Sequence, residues 1–472
     1  MGRNLVSSSS ILLLTILIPL LGSFRISWMN EDDHTNNLKL TSVWVAFFTF
    51  LLAITSFFCA KENFSFFDVS FSVNGVSICM IAATTFLILI GVIIGCDEIK
   101  NNRRQFHVLV LLLESLLIML FSTIDILVFY ILFELILLVA FVLLGVSSKD
   151  SICASKFFII LSIGAIFLFC GIAYLIEITG ITEINILAKY TFTSEQKKII
   201  FTTFFIGFAG QMALFPLHIW LPDSHTKPPV AVSIVFAGAL LKIGAFGMIT
   251  ILLPLTKNIN FLVQKYIFIT AIITIGYATL AAIVQRDFKR MISYISIIHM
   301  AIISMGIFSY TTNGILGAFF NLVAHGFIVS TLLVIIYIIN SRRKQRSAEG
   351  FSLAIPLNFS SMALAPTLAI ISAPFLPYFV GNFLIITGTF QRHTILSSIL
   401  CVFIVCSILY GLKIYHQIFW GENNQKKAKL RPIECLCLYP LVVCTLVMGV
   451  IPNKILIFAK EELCKICGGE VS

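Results

Sequence analysis

A single lysine, Lys242, stands in the middle of a long apolar stretch, and its position suggests proton or ion transfer inside a lipid bilayer. The stretch runs from Ser233 to Leu253 and reads SIVFAGALLKIGAFGMITILL. A lysine at the centre of a membrane span costs about 2.5–3.5 kcal/mol on insertion scales. The sequence shows no structural need that an alanine would not meet without that cost, so the lysine predicts a place on a proton or ion path.

Other ionisable residues also interrupt apolar stretches. Glu134 lies within FYILFELILLVAF, and His299 and His325 lie within ISIIHMAII and NLVAHGFIV. A neutral imidazole both donates and accepts hydrogen bonds and titrates near neutral pH, as a proton relay requires. We therefore interpret Glu134, Lys242, His299 and His325 as candidate relay residues. The alternatives are a buried structural ion pair for Glu134 and Lys242 and a packing role for His299.

Two further acidic residues lie in or beside apolar stretches. Glu114 lies within LLLESLLIML, and Asp125 lies near the junction of two predicted spans. A residue at a helix end often faces water, so a structural role is an equal alternative for Asp125. Lys413 lies near the end of its span and is expected to extend its ammonium group to the membrane surface.

The composition places the chain in a membrane. Of its 472 residues, 59% are hydrophobic and 11% are charged, and the mean hydropathy is +1.02. A soluble domain carries roughly 25% charged residues. The net charge of +10 comes mostly from residues between apolar stretches, as membrane topology signals do, so we do not interpret it as a nucleic-acid-binding surface. We predict one integral membrane domain over residues 1–472.

Apolar windows of about 20 residues predict an all-α membrane fold with about 14 transmembrane helices. The predicted spans are 9–24, 38–60, 75–95, 106–124, 126–147, 155–177, 199–220, 229–253, 261–283, 292–309, 314–339, 360–390, 395–419 and 431–457. Most basic residues outside them follow odd-numbered spans, including the clusters at 342–346 and 426–431. Because positive residues favour the inner side, both termini are predicted to face outward.

Two of the predicted spans should be broken. The seventh, 199–220, contains Pro216 and has Pro222 just after its end, and the twelfth contains Pro366, Pro374 and Pro377. Proline removes a backbone donor and clashes with the preceding helical turn. The breaks are five spans apart, which predicts two inverted five-helix repeats over residues 106–253 and 261–419.

The sequence offers no site for a soluble substrate or cofactor. No Gly-rich phosphate loop follows a strand-like stretch, and no dinucleotide fingerprint occurs, so we expect no NADH site. The closely spaced cysteines at 435–437 and 464–467 lie at opposite ends of the last predicted span and are therefore expected on opposite faces of the membrane. They cannot share one four-ligand metal site. We expect no cofactor, metal, nucleic acid or directly bound soluble substrate.

One segment resembles a known family. LHIWLPDSHTKPPVAVSIVFAGALLKIGAFG, residues 217–247, is similar to the signature of the proton-pumping antiporter-like subunits of respiratory complex I. FYILFE at 129–134, QRDFKRMISYISIIHM at 285–300 and AHGF at 324–327 resemble other motifs of that family. The words LLKIGAFG favour the complex I members, and Mrp-type cation/proton antiporter chains remain the alternative.

The resemblance implies a function and its residues. Family members carry protons along buried ionisable groups linked by water, and Glu134 and Lys242 match the glutamate and lysine of that line. His218 and His225, within the signature, are secondary candidates. The implied partners are lipid and the other membrane-arm subunits of complex I. The many Phe and Ile residues, typical of an AT-rich organelle genome, favour the mitochondrial inner membrane over a bacterial plasma membrane.

The chain departs from the family pattern at three positions. The family has a lysine in the seventh span where this chain has Gln211, and a glutamate in the twelfth where it has Asn382. Lys227 replaces a further family glutamate. An amide donates and accepts hydrogen bonds but does not hold an extra proton. We therefore expect that the subunit does not complete the family's path to the outer side, which leaves a protonically silent, structural subunit as a second alternative.

Overall fold

The computed structural model describes residues 8–29, 35–58, 63–66, 69–72, 74–148, 150–257, 261–343, 357–419 and 430–467. Helices dominate this part of the chain, and twelve of them are long and apolar enough to cross a membrane. The predicted helical membrane fold is confirmed.

The elements follow one another along the chain with short connections. In chain order they are α1 (Ser8–Ser27), α2 (Thr35–Thr55), a 3₁₀ turn (Ser56–Phe58), β1 (Asn63–Phe66), β2 (Val69–Ser72), α3 (Gly75–Glu98), α4 (Arg103–Ser122), α5 (Ile126–Ser148), α6 (Ser151–Thr179), α7 (Ile184–Leu187), α8 (Ser194–Gln211), α9 (Leu221–Thr226), α10 (Val230–Val235), π1 (Phe236–Leu240), α11 (Leu241–Gly247), π2 (Met248–Leu252), α12 (Leu253–Leu255), α13 (Phe261–Val284), α14 (Phe288–Ile307), α15 (Thr312–Arg343), α16 (Leu357–Ile370), α17 (Pro377–Phe390), α18 (Thr394–Phe419), α19 (Pro432–Val450) and α20 (Asn453–Cys467). The segment from α10 to α12 forms one continuous span, Val230–Leu255.

The chain divides into two compact units. The first unit comprises residues 1–212, 227–259 and 458–472, and the second comprises residues 213–226 and 260–457. The predicted repeat 261–419 lies inside the second unit, and most of the predicted repeat 106–253 lies inside the first. The inverted relation between the repeats stays a prediction.

In the first unit, two contacts fix the directions of three neighbouring helices. The Glu98 carboxylate, at the end of α3, accepts hydrogen bonds from the backbone N–H groups of Val230 (2.9 Å) and Ala231 (3.0 Å), at the start of α10. A Cβ on Gly95 would lie 2.3 Å from the ring of Phe106, near the start of α4. The span Val230–Leu255 is therefore antiparallel to α3 and parallel to α4.

In the second unit, α15 is buried from Gly314 to Ile339, and α17 packs closely against it. A Cβ on Gly317 of α15 would lie 2.7 Å from the carbonyl oxygen of Gly381 of α17. A Cβ on Gly388 would lie 2.5 Å from the backbone nitrogen of Gly314. Small residues at these positions let the two helix backbones approach closely, as is common between membrane helices.

Both predicted helix breaks are present. The helix α8 ends at Gln211, and Ala213 in the following turn has a φ of 53°. The helix α16 ends at Ile370 and α17 begins at Pro377, and Ser372 and Phe375 between them have φ values of 58° and 65°. Left-handed backbone at non-glycine residues cannot continue a right-handed helix.

Several sequence predictions differ in detail from the structure. Twelve helices in the described residues are long and apolar enough to cross a membrane, so the total of about 14 membrane crossings stays a prediction. The predicted last span, 431–457, is two helices, α19 and α20. The fold also contains an antiparallel pair of four-residue strands, β1 and β2, that an all-α prediction omits. Residues 344–346, 426–429 and the side chain of Cys467 lie outside the described residues, and the orientation of the termini stays a prediction.

Candidate functional site

Lys242 lies on α11, a seven-residue α-helical segment between the π-helical turns π1 and π2. Close packing against α8 accompanies this irregular stretch. A Cβ on Gly244 would lie 2.5 Å from the carbonyl oxygen of Phe208, and one on Gly247 would lie 2.5 Å from the Phe208 ring. π-Helical turns inside α-helices occur frequently at functional sites.

The side chain of Lys242 is fully buried in the first unit. Its exposed fraction is 0%, and its Nζ has no hydrogen-bond partner or ion-pair partner among the residues that the structure describes. Burying an amine without a partner is costly, because it loses its hydrogen bonds to water. A lysine that is buried at this energetic cost is a strong candidate for a functional residue.

Gln211 lies close to α11 but not on the side that carries Lys242. A Cβ on Gly244 would lie 3.0 Å from the Cβ of Gln211. Gly244 follows Lys242 by two residues, which is a rotation of about 200° around the helix axis. Neither amide atom of Gln211 has a hydrogen-bond partner in the described part of the chain. The structure therefore places Gln211 and Lys242 on opposite sides of α11.

Glu134 lies on the face of α5 that points away from the packed interior of the unit. Its carboxylate accepts a hydrogen bond of 2.8 Å from the hydroxyl of Tyr130, and the side chain is half-buried. On the same helix, Ile131 and Leu138 are 55% and 45% exposed. No ion pair joins Glu134 to Lys242 in the described residues. The periodicity of α5 did not reveal this orientation, because the helix is apolar on every side.

Asp125 stabilises the start of α5. One carboxylate oxygen accepts hydrogen bonds from the backbone N–H groups of Leu127 (2.8 Å) and Val128 (3.0 Å), and the other accepts one from the Thr182 hydroxyl (2.6 Å). These contacts satisfy backbone donors that a helix start leaves unpaired. The geometry supports the structural alternative for this residue.

Lys227, which stands where the family has a glutamate, pairs with Asp150 at 3.2 Å near the starts of α6 and α10. The backbone N–H of Cys153 and the Lys227 ammonium lower the pKa of Asp150 below its usual value. Both side chains are exposed to a considerable degree, so the pair contributes little stability. The substitution thus exchanges a loop carboxylate for a surface ion pair.

The two candidate histidines of the second unit are both buried. The ring of His299 on α14 stacks on Tyr378 of α17, with centroids 3.8 Å apart and planes 20° apart. Neither nitrogen of His299, nor the Tyr378 hydroxyl, has a hydrogen-bond partner within the described ranges. His325 lies on α15 with an exposed fraction of 0%, one helical turn after Asn321. The relay roles of both histidines stay predictions.

Asn382 sits in a closed network of amide and hydroxyl groups. Its Oδ1 accepts a hydrogen bond of 2.7 Å from Asn321 Nδ2, and its Nδ2 donates one of 2.9 Å to the Ser372 hydroxyl. Asn382 is 2% exposed and Asn321 is 0% exposed. The network connects the middle of α15, α17 and the backbone break before α17. It contains no titratable side chain at the position of the family glutamate.

The two secondary histidines lie near the break in the predicted seventh span. The His218 ring packs against Phe215 and Tyr277, with centroid distances of 5.6 Å and 4.9 Å. His225 on α9 is fully buried. Burial and the nearby positive charge of Lys289 lower the pKa of His225 to about 3. His225 is therefore neutral at physiological pH.

A cavity of about 510 Å³ reaches into the first unit towards Lys242. Its walls include Phe246, Thr250, Pro254 and Lys257, which repeat at helical spacing along one side of the span Val230–Leu255. Lys242 precedes Phe246 by four residues on the same side. Phe246, a lining residue of this cavity, therefore lies about one helical turn, roughly 6 Å along the helix axis, from Lys242.

The described residues include no group of three or more His, Cys, Asp or Glu side chains that is able to hold a metal ion. The chemistry available at the site is that of buried amine, carboxyl, imidazole and amide groups. These groups are suited to holding or passing protons.

Comparison with known proteins assigns the family. Residues 123–408 match the family model described as NADH:quinone oxidoreductase/Mrp antiporter, transmembrane. NADH-quinone oxidoreductase subunit M of Rickettsia typhi (strain ATCC VR-144 / Wilmington) is 30% identical over 477 residues, covering 94% of this chain and 96% of that protein. NADH-ubiquinone oxidoreductase chain 4 of Marchantia polymorpha is 29% identical over 466 residues, covering 93% and 94%.

A solved structure supports the same assignment at the level of the fold. A chain of respiratory complex I from Thermus thermophilus with bound NADH superposes with a TM-score of 0.85, covering 97% of this chain and 100% of that one at 23% identity. The match to the family model extends over more than half of the chain, from the start of α5 into α18. The chain is a multi-pass membrane protein that belongs to the NADH:quinone oxidoreductase/Mrp antiporter transmembrane family.

Proposed function

We propose that this chain is a membrane-arm subunit of a respiratory complex I and couples electron transfer from NADH to quinone with proton translocation. The observation that carries the proposal is Lys242, a fully buried lysine between two π-helical turns in a chain of this family. The chain itself would hold no cofactor, and the other membrane-arm subunits and lipid would be its neighbours.

The proposed mechanism is electrostatic. Gaining or losing a proton at Lys242 changes a full charge inside a medium of low dielectric constant, where charges interact more strongly than in water. Such a change alters the proton affinity of neighbouring buried groups. A series of coupled charges passes a signal along a membrane without a redox group in the chain.

The subunit would move charge within the bilayer without completing the family's path across it. The reason is the network around Asn382, whose amide Oδ1 and Nδ2 are both engaged with Asn321 and Ser372. A residue held in this way cannot store a proton, and its burial leaves no exposed face for water. This observation also favours the second candidate function, a structural subunit that is protonically silent.

Replacing Lys242 distinguishes these two functions. In the assembled complex, Lys242→Met should sharply reduce NADH-driven proton uptake per electron, whereas Lys242→Arg, which keeps a cation, should retain more of it. Lys198→Met is the matched control, because Lys198 is 56% exposed and pairs with Glu195 on the surface. Unchanged proton uptake in Lys242→Met would support the silent structural subunit. Sodium-dependent transport without quinone reduction would instead support an Mrp-type antiporter subunit.

The relatives and the composition support a proposal for the compartment. We propose the mitochondrial inner membrane, since a mitochondrial-type chain 4 is among the relatives and the sequence is rich in Phe, with 44 residues. The alternative is a bacterial plasma membrane, in line with the subunit M relatives. Fractionation of the source cells with a mitochondrial inner-membrane marker distinguishes the two.

A further inference from the structure

Besides Lys242, the first unit contains another fully buried charged-type residue, Glu114. It lies on α4, its exposed fraction is 0%, and neither carboxyl oxygen has a hydrogen-bond partner in the described part of the chain. A buried carboxyl group without hydrogen bonds is costly, as a buried amine is. Two such groups in one unit raise the question of whether they face each other.

An aromatic contact shows that Glu114 and Lys242 point towards each other's helices. The rings of Phe121 on α4 and Phe246 on α11 meet edge to face, with centroids 5.0 Å apart. Glu114 precedes Phe121 by seven residues, and Lys242 precedes Phe246 by four. Both spacings return to the same side of a helix to within about 40°. Each ionisable side chain therefore lies on the side of its helix that contacts the other helix.

The two residues also lie at similar depth. Because α4 and the span Val230–Leu255 are parallel, both residues are displaced from the aromatic contact in the same direction. At about 1.5 Å per residue, the displacements are roughly 10 Å for Glu114 and roughly 6 Å for Lys242. The difference is less than one helical turn. Both side chains also lean towards the N-termini of their helices.

A third polar group approaches the same position from α3. A Cβ on Gly238 would lie 3.0 Å from Leu87, so α3 touches the span one turn before Lys242. Thr84 lies three residues before Leu87 on the antiparallel helix α3, and its buried hydroxyl has no partner among the described residues. Three helices thus bring an amine, a carboxyl group and a hydroxyl to one depth in the membrane.

We propose that Glu114 is the proton-exchange partner of Lys242, an inference that rests on the proposed function. At rest, the shared proton is on the Lys242 nitrogen and Glu114 is a carboxylate. In the exchange, an N–H bond of the ammonium breaks and an O–H bond forms on Glu114, which leaves a neutral amine and a neutral acid. The two groups form no direct ion pair in the described residues, so the proton passes through a hydrogen-bonded hydroxyl, such as that of Thr84, or through water.

Infrared spectroscopy of the assembled complex tests this pairing without relying on proton pumping. In Lys242→Met, the lone buried carboxylate should take up a proton, which adds the carbonyl band of one carboxylic acid per subunit at neutral pH. The Glu114→Gln, Lys242→Met double variant should lack this added band. Lys242→Arg should restore the native spectrum, and Lys198→Met should leave it unchanged.

The outcomes separate the pairing from the proposed function. A gained band that depends on Glu114 supports the pairing even if proton uptake is unaffected, in which case the proposed function fails and the pair is structural. The same carboxylic-acid signal in native and Lys242→Met complexes overturns the pairing, whatever happens to proton uptake. If Lys242→Met does not assemble, Glu114→Gln alone remains informative, because the pairing predicts the loss of a carboxylate band and not of a carboxylic-acid band.

Discussion

Replacing Asn382 by alanine should destabilise the second unit by about 1.5–4.5 kcal/mol. The change removes both the acceptor of the 2.7 Å bond from Asn321 and the donor of the 2.9 Å bond to Ser372. Asn321 is fully buried, and its Oδ1 already lacks a partner within the described residues, so its amide would be wholly unsatisfied. That costs about 1–3 kcal/mol, whereas the half-buried Ser372 loses only the net value of one bond, about 0.5–1.5 kcal/mol.

The prediction is tested by heating the purified complex in detergent and following the retention of the subunit in the complex on native gels. Ser372→Ala should cost less than Asn382→Ala, about 1–3 kcal/mol, because it leaves Nδ2 of the buried Asn382 without its acceptor but keeps the bond between the two asparagines. Asn313→Ala is the matched control, since Asn313 is an exposed asparagine on α15, the helix that also carries Asn321. If Asn382→Ala were as stable as Asn313→Ala, the idea of a closed, structurally necessary amide network would be wrong.

Three further changes test other parts of the structure. His225 is buried with a pKa of about 3, so as the pH falls the unfolded chain takes up a proton at this residue before the folded chain does. Stability should therefore decrease below about pH 6.5, by about 2 kcal/mol at pH 5. In thermal unfolding, His225→Gln should remove this part of the pH dependence. Gly244→Ala would place a Cβ 2.5 Å from the Phe208 carbonyl oxygen and should cost about 1–3 kcal/mol. The control Gly145→Ala, whose Cβ would have its nearest neighbour at 3.8 Å, should be tolerated. Equal melting temperatures of the two variants would contradict this packing. Asp125→Ala should cost about 1–2 kcal/mol by removing the cap of α5, and an unchanged melting temperature would show that the cap is unimportant.

Much of the fold could be predicted from sequence because apolar length and proline are strong local signals. Single helices account for the long spans, and the breaks fall where Pro216 and Pro374 interrupt apolar stretches. The hairpin β1–β2 was missed because each strand has only four residues and lies between membrane spans. The two π-helical turns around Lys242 could not be predicted, because they depend on tertiary contacts such as that between Gly244 and Phe208.

The candidate site was only partly predictable. Lys242 stands out in the sequence because no charge surrounds it, and the structure buries it completely. The direction of each side chain could not be inferred in the same way. Glu134 and Glu114 both lie in apolar stretches of sequence, yet the first is half-buried at the surface of α5 and the second is fully buried. Only the packing of neighbouring helices distinguishes these two environments.

The hydrogen-bond partners of Asn382 were also not predictable from the sequence. The replacement at Asn382 is visible in the sequence, and it predicts the loss of a titratable group. The partners of that amide are not visible, because Asn321 is 61 residues away and becomes a neighbour only when α15 and α17 pack together. The sequence thus indicates that position 382 has no titratable side chain. The structure adds that Asn382 instead forms hydrogen bonds with Asn321 and Ser372.

The central claim is that this subunit moves charge within the bilayer without completing the family's path through the position of Asn382. The most direct test is the proton-to-electron ratio of the native complex, compared with that of the Gln211→Lys, Asn382→Glu double variant. The account predicts a native ratio below that expected if every antiporter-like subunit pumped, and a response to the variant that depends on Lys242. A native complex that already reaches the full ratio would contradict the account.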